Sequence, residues 1–242
     1  FVTFKNVVDS TRVKLPFGVG QIGKSFRNEI TPGNFILRTL EFEQAEIEYF
    51  FDPENSSWQD LFEQWKNDMW SFIVQDLGIN QSNLRWRVHS DEERSFYSER
   101  TEDLEYRFDP IGFKELWGVA YRTNYDLSQH MKYSGIDMHW VDSSTGRKFV
   151  PHVIEPAVGI NRIFLMLLND VYREADVDGE SRVYLAFNKS IAPYQVAVFP
   201  LVSNKPQLVM KAKEVFNSLL GEYRVTWDDR GNIGKRDRKS TR

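Results

Sequence analysis

The chain has no cysteine. Disulfides, thiolate metal sites and cysteine nucleophiles are thereby excluded. No apolar run approaches the roughly 18 residues that a membrane-spanning helix needs, so no membrane partner is expected. The opening Phe1-Val-Thr-Phe-Lys-Asn6 has neither a basic start nor a small-residue cleavage site, so nothing there reads as a signal peptide. The expected location is cytoplasmic, and the sequons at Asn55 and Asn188 are read as chance. Histidine is scarce: His89, His130, His139 and His152 match no metal-ligand spacing. Without a Gly-x-Ser-x-Gly elbow or a Walker loop, hydrolase and P-loop readings lack support. Internal repeats and low-complexity stretches are missing too.

What is present is an ordinary globular balance. The 242 residues, 41% hydrophobic and 27% charged, suffice for one large domain or for a domain plus a piece of a second. Seven Trp, ten Tyr and eighteen Phe supply rings for a sizeable core. The net charge of −4 hides an asymmetry: residues 1–188 carry −10 and residues 189–242 carry +6. A basic end on an acidic body points to an anionic partner, nucleic acid among them.

Residues 26–29 and 41–51 alternate like strands, and the turn-rich loop 30–35 between them predicts an antiparallel hairpin. Residues 57–77 carry Trp58, Leu61, Phe62, Trp65, Met69, Phe72 and Ile73 at helical spacing behind a Ser57 cap. Residues 84–88, 104–108 and 149–154 read as strands, the last followed by Pro156 and Gly159 and then a helix over 160–174. Residues 195–202 form an apolar strand, Pro206 opens a helix, and residues 223–227 form another strand. Strand, helix, strand begins a parallel α/β unit. Two strands and one helix cannot cover both faces of a sheet, so this second domain looks unfinished.

Three constellations carry chemistry. Gly18-Val-Gly-Gln-Ile-Gly23 fits the dinucleotide fingerprint, which needs a strand before it and a helix after it. Here Leu15-Pro16-Phe17 precedes it and a strand-like alternation follows, so the context fails. In the hairpin, Arg27 and Glu29 share one face of a strand. On the return strand Phe42, Gln44, Glu46 and Glu48 share a face, opposite Glu41, Glu43, Ala45, Ile47 and Tyr49. This is either a solvated face with cross-strand ion pairs or a polar pocket floor. As a floor, an arginine binds phosphate, a ring stacks on a base and carboxylates hold an amine. Finally, Glu155-Pro-Ala-Val-Gly-Ile-Asn-Arg162 joins a strand to a helix. Arg162 in the first turn meets the positive helix end. It either snorkels to solvent or answers a phosphate partner.

These residues also carry a resemblance. Phe26-Arg-Asn-Glu-Ile-Thr-Pro32 with Arg38-Thr-Leu-Glu-Phe-Glu-Gln-Ala-Glu-Ile-Glu-Tyr-Phe50 closely resembles motif 2 of the class II aminoacyl-tRNA synthetases, in the wording of the dimeric glycyl-tRNA synthetases. Phe4-Lys-Asn6, Lys14-Leu-Pro-Phe-Gly18 and Gln21-Ile-Gly-Lys-Ser25 resemble the segment before it. Glu115-Leu-Trp-Gly-Val-Ala-Tyr-Arg-Thr-Asn-Tyr-Asp-Leu127 resembles the family's Glu-Leu-x-Gly strand. Val153-Ile-Glu-Pro-Ala-Val-Gly-Ile-Asn-Arg162 looks like motif 3. Val196-Ala-Val-Phe-Pro-Leu-Val202 and Gly231-Asn-Ile-Gly-Lys-Arg236 look like the start of the anticodon-binding domain.

The resemblance implies an α+β fold: a class II catalytic domain built on an antiparallel sheet flanked by helices, over residues 1–192. An incomplete α/β anticodon-binding domain would follow over 193–242. Motif 1 is expected upstream of Phe1, and further residues near Arg236. Arg27 and Arg162 are the implied catalytic residues, Arg27 on the ATP α-phosphate, Arg38 and Arg162 on the outer phosphates. Glu29 meets the adenine side and Phe42 stacks on adenine. Asn28, Leu37, Thr39, Leu40, Glu41, Glu115, Leu116, Gly159, Ile160 and Asn161 complete the implied ATP site. Glu46 is similar to the family's glycine-ammonium ligand, and Phe42, Glu43, Gln44, Ala45, Glu155, Pro156, Ala157, Val158 and Gly159 surround the glycine. Glu115 and Glu155 lie where the family places carboxylates near ATP-bound Mg2+ and the substrate amine. The implied partners are ATP, glycine, tRNA(Gly) and a second copy in a homodimer.

The implied chemistry has two steps, in-line attack of the glycine carboxylate on the ATP α-phosphorus and transfer of the glycyl group to the 3′-terminal ribose of the tRNA. Gly33, Leu40, Trp117 and Ala157 depart from the family pattern. They motivate a second reading, a non-catalytic synthetase-like RNA-binding or regulatory paralogue. Retention of Arg27, Glu29, Phe42, Glu46, Glu155 and Arg162 favours the enzyme. A ligase for another amino acid is a weaker third reading.

Overall fold

The computed structural model describes residues 1–33, 35–177 and 179–240; Asn34 of the turn-rich loop 30–35, and Thr241 and Arg242 of the basic end, lie outside them. The chain forms two compact units, one of Phe1–Gln75 with Ile79–Leu167, the other of Asp76–Gly78 with Leu168–Arg242.

The first unit begins with α1 (Phe4–Thr11), β1 (Phe17–Phe26), β2 (Glu41–Phe51) and α2 (Trp58–Ser71). It continues through β3 (Leu84–Val88), β4 (Arg100–Phe108), β5 (Gly112–Thr123) and α3 (Tyr125–Ser134). The short ribbon β6 (Trp140–Val141) and β7 (Lys148–Phe149) then leads to β8 (His152–Gly159) and to α4 (Ile160–Val171), whose residues from Leu168 onward are counted with the second unit. Six strands make one sheet in the order β1-β2-β8-β5-β4-β3, every neighbouring pair antiparallel.

Strand parity decides what each face holds. Phe51 of β2, Val119 and Tyr121 of β5 and Ile154 of β8 point to one face and pack with Phe62 and Met69 of α2. Ser57 caps α2, its Oγ accepting from the Asp60 N–H at 3.2 Å. On the other face Phe50, Val153, Phe4 of α1 and Leu127 of α3 form a second core, with the Phe4 and Phe50 rings 4.7 Å apart. Successive positions on that second face of β2, away from Phe50, are Glu48, Glu46, Gln44 and Phe42. One face therefore passes from sealed core to polar floor along a single strand.

The expected hairpin is present, with one correction. The strand entering it is β1, which ends at Phe26, so Arg27 and Glu29 lie in the loop. The Arg27 N–H donates to the Leu40 carbonyl, and the Glu29 N–H turns back to the Arg27 carbonyl, both at 2.9 Å. β1 also contains the whole of Gly18–Gly23, which is strand and not a phosphate loop. A Cβ on Gly18 would come 3.1 Å from the Ile47 side chain, the close approach that glycine permits there. A second correction concerns Pro156 and Gly159, which lie inside β8 rather than after it. The helix that follows ends at Val171 and gives way to a strand. α1, α3 and that next strand were not expected, although Phe4, Val7 and Val8 recur at helical spacing in α1.

The second unit contains an antiparallel hairpin of β9 (Tyr172–Val177) and β10 (Glu180–Leu185). After it β11 (Val196–Val198) pairs in parallel with β12 (Val225–Trp227) across α5 (Pro206–Leu219), and α6 (Ile233–Ser240) closes the described chain. This is the expected strand-helix-strand unit, with Pro206 in the first turn of its helix, where its missing N–H costs nothing.

Candidate active site

The polar face carries a cleft of about 330 Å³. Its floor is open because the central strands bear small residues in register. Glu46 pairs with Ala157, Ala157 with Gly118 and Gly118 with Asp103; one step along, Glu155 pairs with Ala120 and Ala120 with Thr101. A Cβ on Gly118 would stand 3.4 Å from Asp103 Oδ1 and 3.9 Å from Glu115 Oε1.

At one end the side chains are arginines and a ring. The Arg27 guanidinium lies 5.2 Å from the Phe42 ring centroid. Arg38 Nε donates to Glu29 Oε2 at 2.7 Å. The loop between them folds on itself, the Gly33 N–H donating to the Arg38 carbonyl at 3.0 Å, while Leu37 is buried. Arg162 neither snorkels to solvent nor stands unpartnered at the start of α4. Its Nη1 donates to the Glu115 carboxylate at 3.0 Å and carbonyl at 2.9 Å, and its Nε to the Leu37 carbonyl at 3.2 Å. Gly159 leaves room for it: a Cβ there would sit 3.4 Å from Arg162 Cδ. The Asn161 side chain accepts from the Glu43 N–H at 2.7 Å, tying the helix start to β2.

The other end is carboxylic. Glu155 Oε2 accepts from Arg122 Nη1 at 2.7 Å. The same guanidinium grips both oxygens of Asp126 at 2.8 Å and lies 4.1 Å from the Tyr97 ring. Burial pushes the Glu155 carboxyl up from its ordinary value, and Arg122 opposes the rise. Asp103 is raised by burial and by Glu115, against the pull of His89 at 2.7 Å and Arg87 at 2.8 Å.

The description "tRNA synthetase class II core domain (G, H, P, S and T)" belongs to the family model that matches residues 2–171. The chain belongs to this family. Similar curated proteins include the glycine–tRNA ligase of Clostridium acetobutylicum, 51% identical over 99% of this chain and 50% of its own length. That of Mesoplasma florum is 47% identical over 99% and 52%. The chain thus spans about half the length of the curated relatives it matches. Among solved structures, the prolyl-tRNA synthetase of Cryptosporidium parvum complexed with L-proline and AMP aligns at TM-score 0.67, with 19% identity over 93% of this chain and 45% of that one. The Giardia lamblia prolyl-tRNA synthetase in complex with prolyl-adenylate aligns at 0.69, with 17% identity over 93% and 43%. At those identities the likeness shows the fold alone: the antiparallel sheet with flanking helices is that of a class II core. No helix among the described residues is long and apolar enough to cross a membrane.

Of the residues singled out in the sequence, the class II core brings fourteen to its cleft: Arg27, Glu29, Leu37, Arg38, Thr39, Phe42, Gln44, Glu115, Glu155, Ala157, Val158, Gly159, Asn161 and Arg162. Asn28, Leu40, Glu41, Glu43, Ala45, Glu46, Leu116, Pro156 and Ile160 do not line it. Glu41 turns outward to Lys24, Leu116 is buried, and Glu46 stands beside Ala157, one strand step deeper than Gln44. Sequence reasoning missed Arg122, Asp103, His89, Tyr97 and Gly118. The signal for Arg122 was its parity with Gly118 and Ala120, together with Asp126 four residues on. Among the described residues no three acidic or histidine side chains converge as a metal cluster.

Proposed function

We propose that the chain is the catalytic part of a glycine–tRNA ligase, activating glycine with ATP and passing it to tRNA(Gly). The observation that carries the reading is the polarity of the cleft: guanidinium groups and a ring at one end, carboxylates over small residues at the other. The 51% identity to a glycine–tRNA ligase supports it.

In this reading adenine stacks on Phe42, Arg27 binds the α-phosphate and Arg38 and Arg162 the outer phosphates. The glycine ammonium lies toward Glu155 and Glu46, and its carboxylate attacks the α-phosphorus in line, expelling pyrophosphate. The ribose hydroxyl at the tRNA 3′ end then displaces AMP. Neither step needs a covalent enzyme intermediate, so positioning and charge stabilisation do the catalysis. Glycine offers no side chain to grip, so selectivity rests on excluding larger ones. Glu115, its carboxylate half exposed on the cleft beside Arg162, fits the Mg2+ that travels with ATP and neutralises phosphate charge. Glu155 does not fit as a metal ligand, because its carboxylate is buried and engaged by Arg122; we assign it to the amine.

We read residues 1–192 as the catalytic domain and 193–242, with its +6 charge, as the start of an anticodon-binding domain that meets tRNA. We also read the complete protein as a cytoplasmic homodimer. β1, an edge strand of the described sheet, exposes Ile22 and Phe26 where a partner segment would pair. ATP–pyrophosphate exchange on the full-length protein is the test. Exchange that requires glycine is expected; exchange driven by another amino acid, or none, refutes the reading.

A further inference from the structure

Glu48 has no part in the reading so far, yet it faces the same side as Phe42, Gln44 and Glu46. The flanking register, Glu46 with Ala157 and Tyr49 with Ile154, puts it directly opposite Glu155. Pro156 lacks the N–H that would continue the ladder across that step. Like charges directly opposite on one sheet face repel.

The surroundings cannot neutralise two ionised carboxylates. Arg122 of β5 is the guanidinium in reach, and Asp126 of α3 already takes two of its nitrogens. Glu46 adds negative charge beside Glu155. Glu48 Oε2 is buried without a hydrogen-bond partner, a position that an ionised oxygen would hold at high cost. A proton on one of the two facing carboxyls relieves their repulsion and supplies a donor between them. Glu155 accepts from Arg122, so the proton belongs on Glu48. Burial and the Glu155 charge push the Glu48 carboxyl up to about 9.

We propose that Glu48 is a positioning residue at the amino-acid end of the cleft: its carboxyl keeps a proton and donates it as a hydrogen bond to Glu155. Glu155 is then held from two sides, by Glu48 and Arg122, and the pair presents one negative charge to one ammonium group. The proton stays on Glu48 throughout the reaction. The inference rests on the glycine-activating reading of the cleft.

The test compares wild type, Glu48→Gln and Glu48→Leu as full chains, measuring KM for glycine and for ATP in pyrophosphate exchange. Leucine removes the donor and should raise the glycine KM roughly tenfold to a hundredfold, the worth of one hydrogen bond to a charged group. The ATP KM should stay within about twofold. Glutamine, whose amide donates the same bond, should recover most of that loss. Above about pH 9 the wild-type glycine KM should rise further than that of the glutamine variant, both sharing the loss of the glycine ammonium. Equal glycine KM in the two variants, or equal shifts for both substrates, overturns the proposal. Glu48→Met replaces the leucine variant if that does not fold. Melting without substrates gives an independent arm. Between pH 5 and 9 folded Glu48 retains a proton that the unfolded chain has released, so the stability of the glutamine variant relative to wild type should grow across that window. A constant difference overturns the shared proton. Wild-type exchange that ignores glycine overturns the glycine reading and the positioning role with it, and the melting arm separates that failure from a failure of the proton itself.

Discussion

Removing Arg122 exposes how the carboxylic end of the cleft is held together. Its side chain is 12% exposed, and those of Asp126 and Glu155 are 15% and 18%. Arg122→Met keeps the stem and deletes the charge. Asp126 sits in the first turn of α3, where the helix end favours a carboxylate, so most of the loss falls on Glu155. Leaving one partner of a fully buried pair uncompensated costs about 3–5 kcal/mol. Residual solvent contact brings the expectation to about 2–3 kcal/mol, or a fall of roughly 5–10 °C in Tm for a chain of this size. The deficit should depend on pH. Glu155 is already raised in the fold by burial, and without Arg122 it rises further. A carboxyl raised on folding contributes stability that is complete below its unfolded value and is lost as pH rises through its folded value. The deficit should therefore be largest near pH 8 and shrink toward pH 5. Urea titrations of both proteins at the two pH values, followed by tryptophan fluorescence, measure it. A deficit below about 1 kcal/mol at pH 8, or one that stays constant at pH 5, would refute the assignment of Arg122 as the counter-charge of Glu155.

Arg27→Ala should lower adenylate formation by roughly 10²–10³, the loss of one preorganised charge-stabilising contact; pyrophosphate exchange within a few-fold of wild type would contradict its phosphate role. Glu46→Gln keeps the size and removes the charge, so the glycine KM should rise strongly while the ATP KM holds; equal shifts for the two substrates would make Glu46 a structural ion-pair partner instead. Deleting the chain from residue 193 onward should spare exchange and impair tRNA charging, and undiminished charging would rule that segment out as a tRNA reader. Ser57→Ala should cost about 1 kcal/mol through the lost α2 cap, read as a shift of the urea midpoint with unchanged slope.

The sequence was most legible where local pattern and tertiary role coincide. β2 and β3 occupy the expected 41–51 and 84–88, because alternating side chains meet a core on one face and a cleft on the other. The Ser57 cap and the Pro206 opening are local chemistry and appear as read. Reading failed where a residue type has two meanings. The glycines of β1 fitted a phosphate-loop fingerprint, and no strand was expected across them, but Gly18 makes way for Ile47 and the strand runs ten residues to Phe26. Arg27 and Glu29 consequently sit on a loop rather than sharing a strand face. Pro156 looked like a strand end, yet β8 passes through it with neighbours on both sides. The missing N–H falls between Ile47 and Glu48, where the pairing to β2 is interrupted.

The same logic explains why motif wording found the phosphate-facing residues more readily than the rest of the cleft. Arg27, Phe42, Glu115 and Arg162 lie in segments whose residue order is itself distinctive. Ala157, Gly118 and Ala120 make the floor by being small, and smallness means nothing until the strand order is known. Only with β8 between β2 and β5 do these three fall side by side and leave space above them. Arg122 is hidden for the converse reason. Its neighbour Tyr121 faces the other side with Ile154, a bulge interrupts the pairing between Tyr121 and Thr123, and the contact spans 33 positions. The sheet order that opens the floor also brings Arg122 to Glu155 and sets Glu48 across from it, so the space for a small substrate and the charge that meets its amine arise from one register.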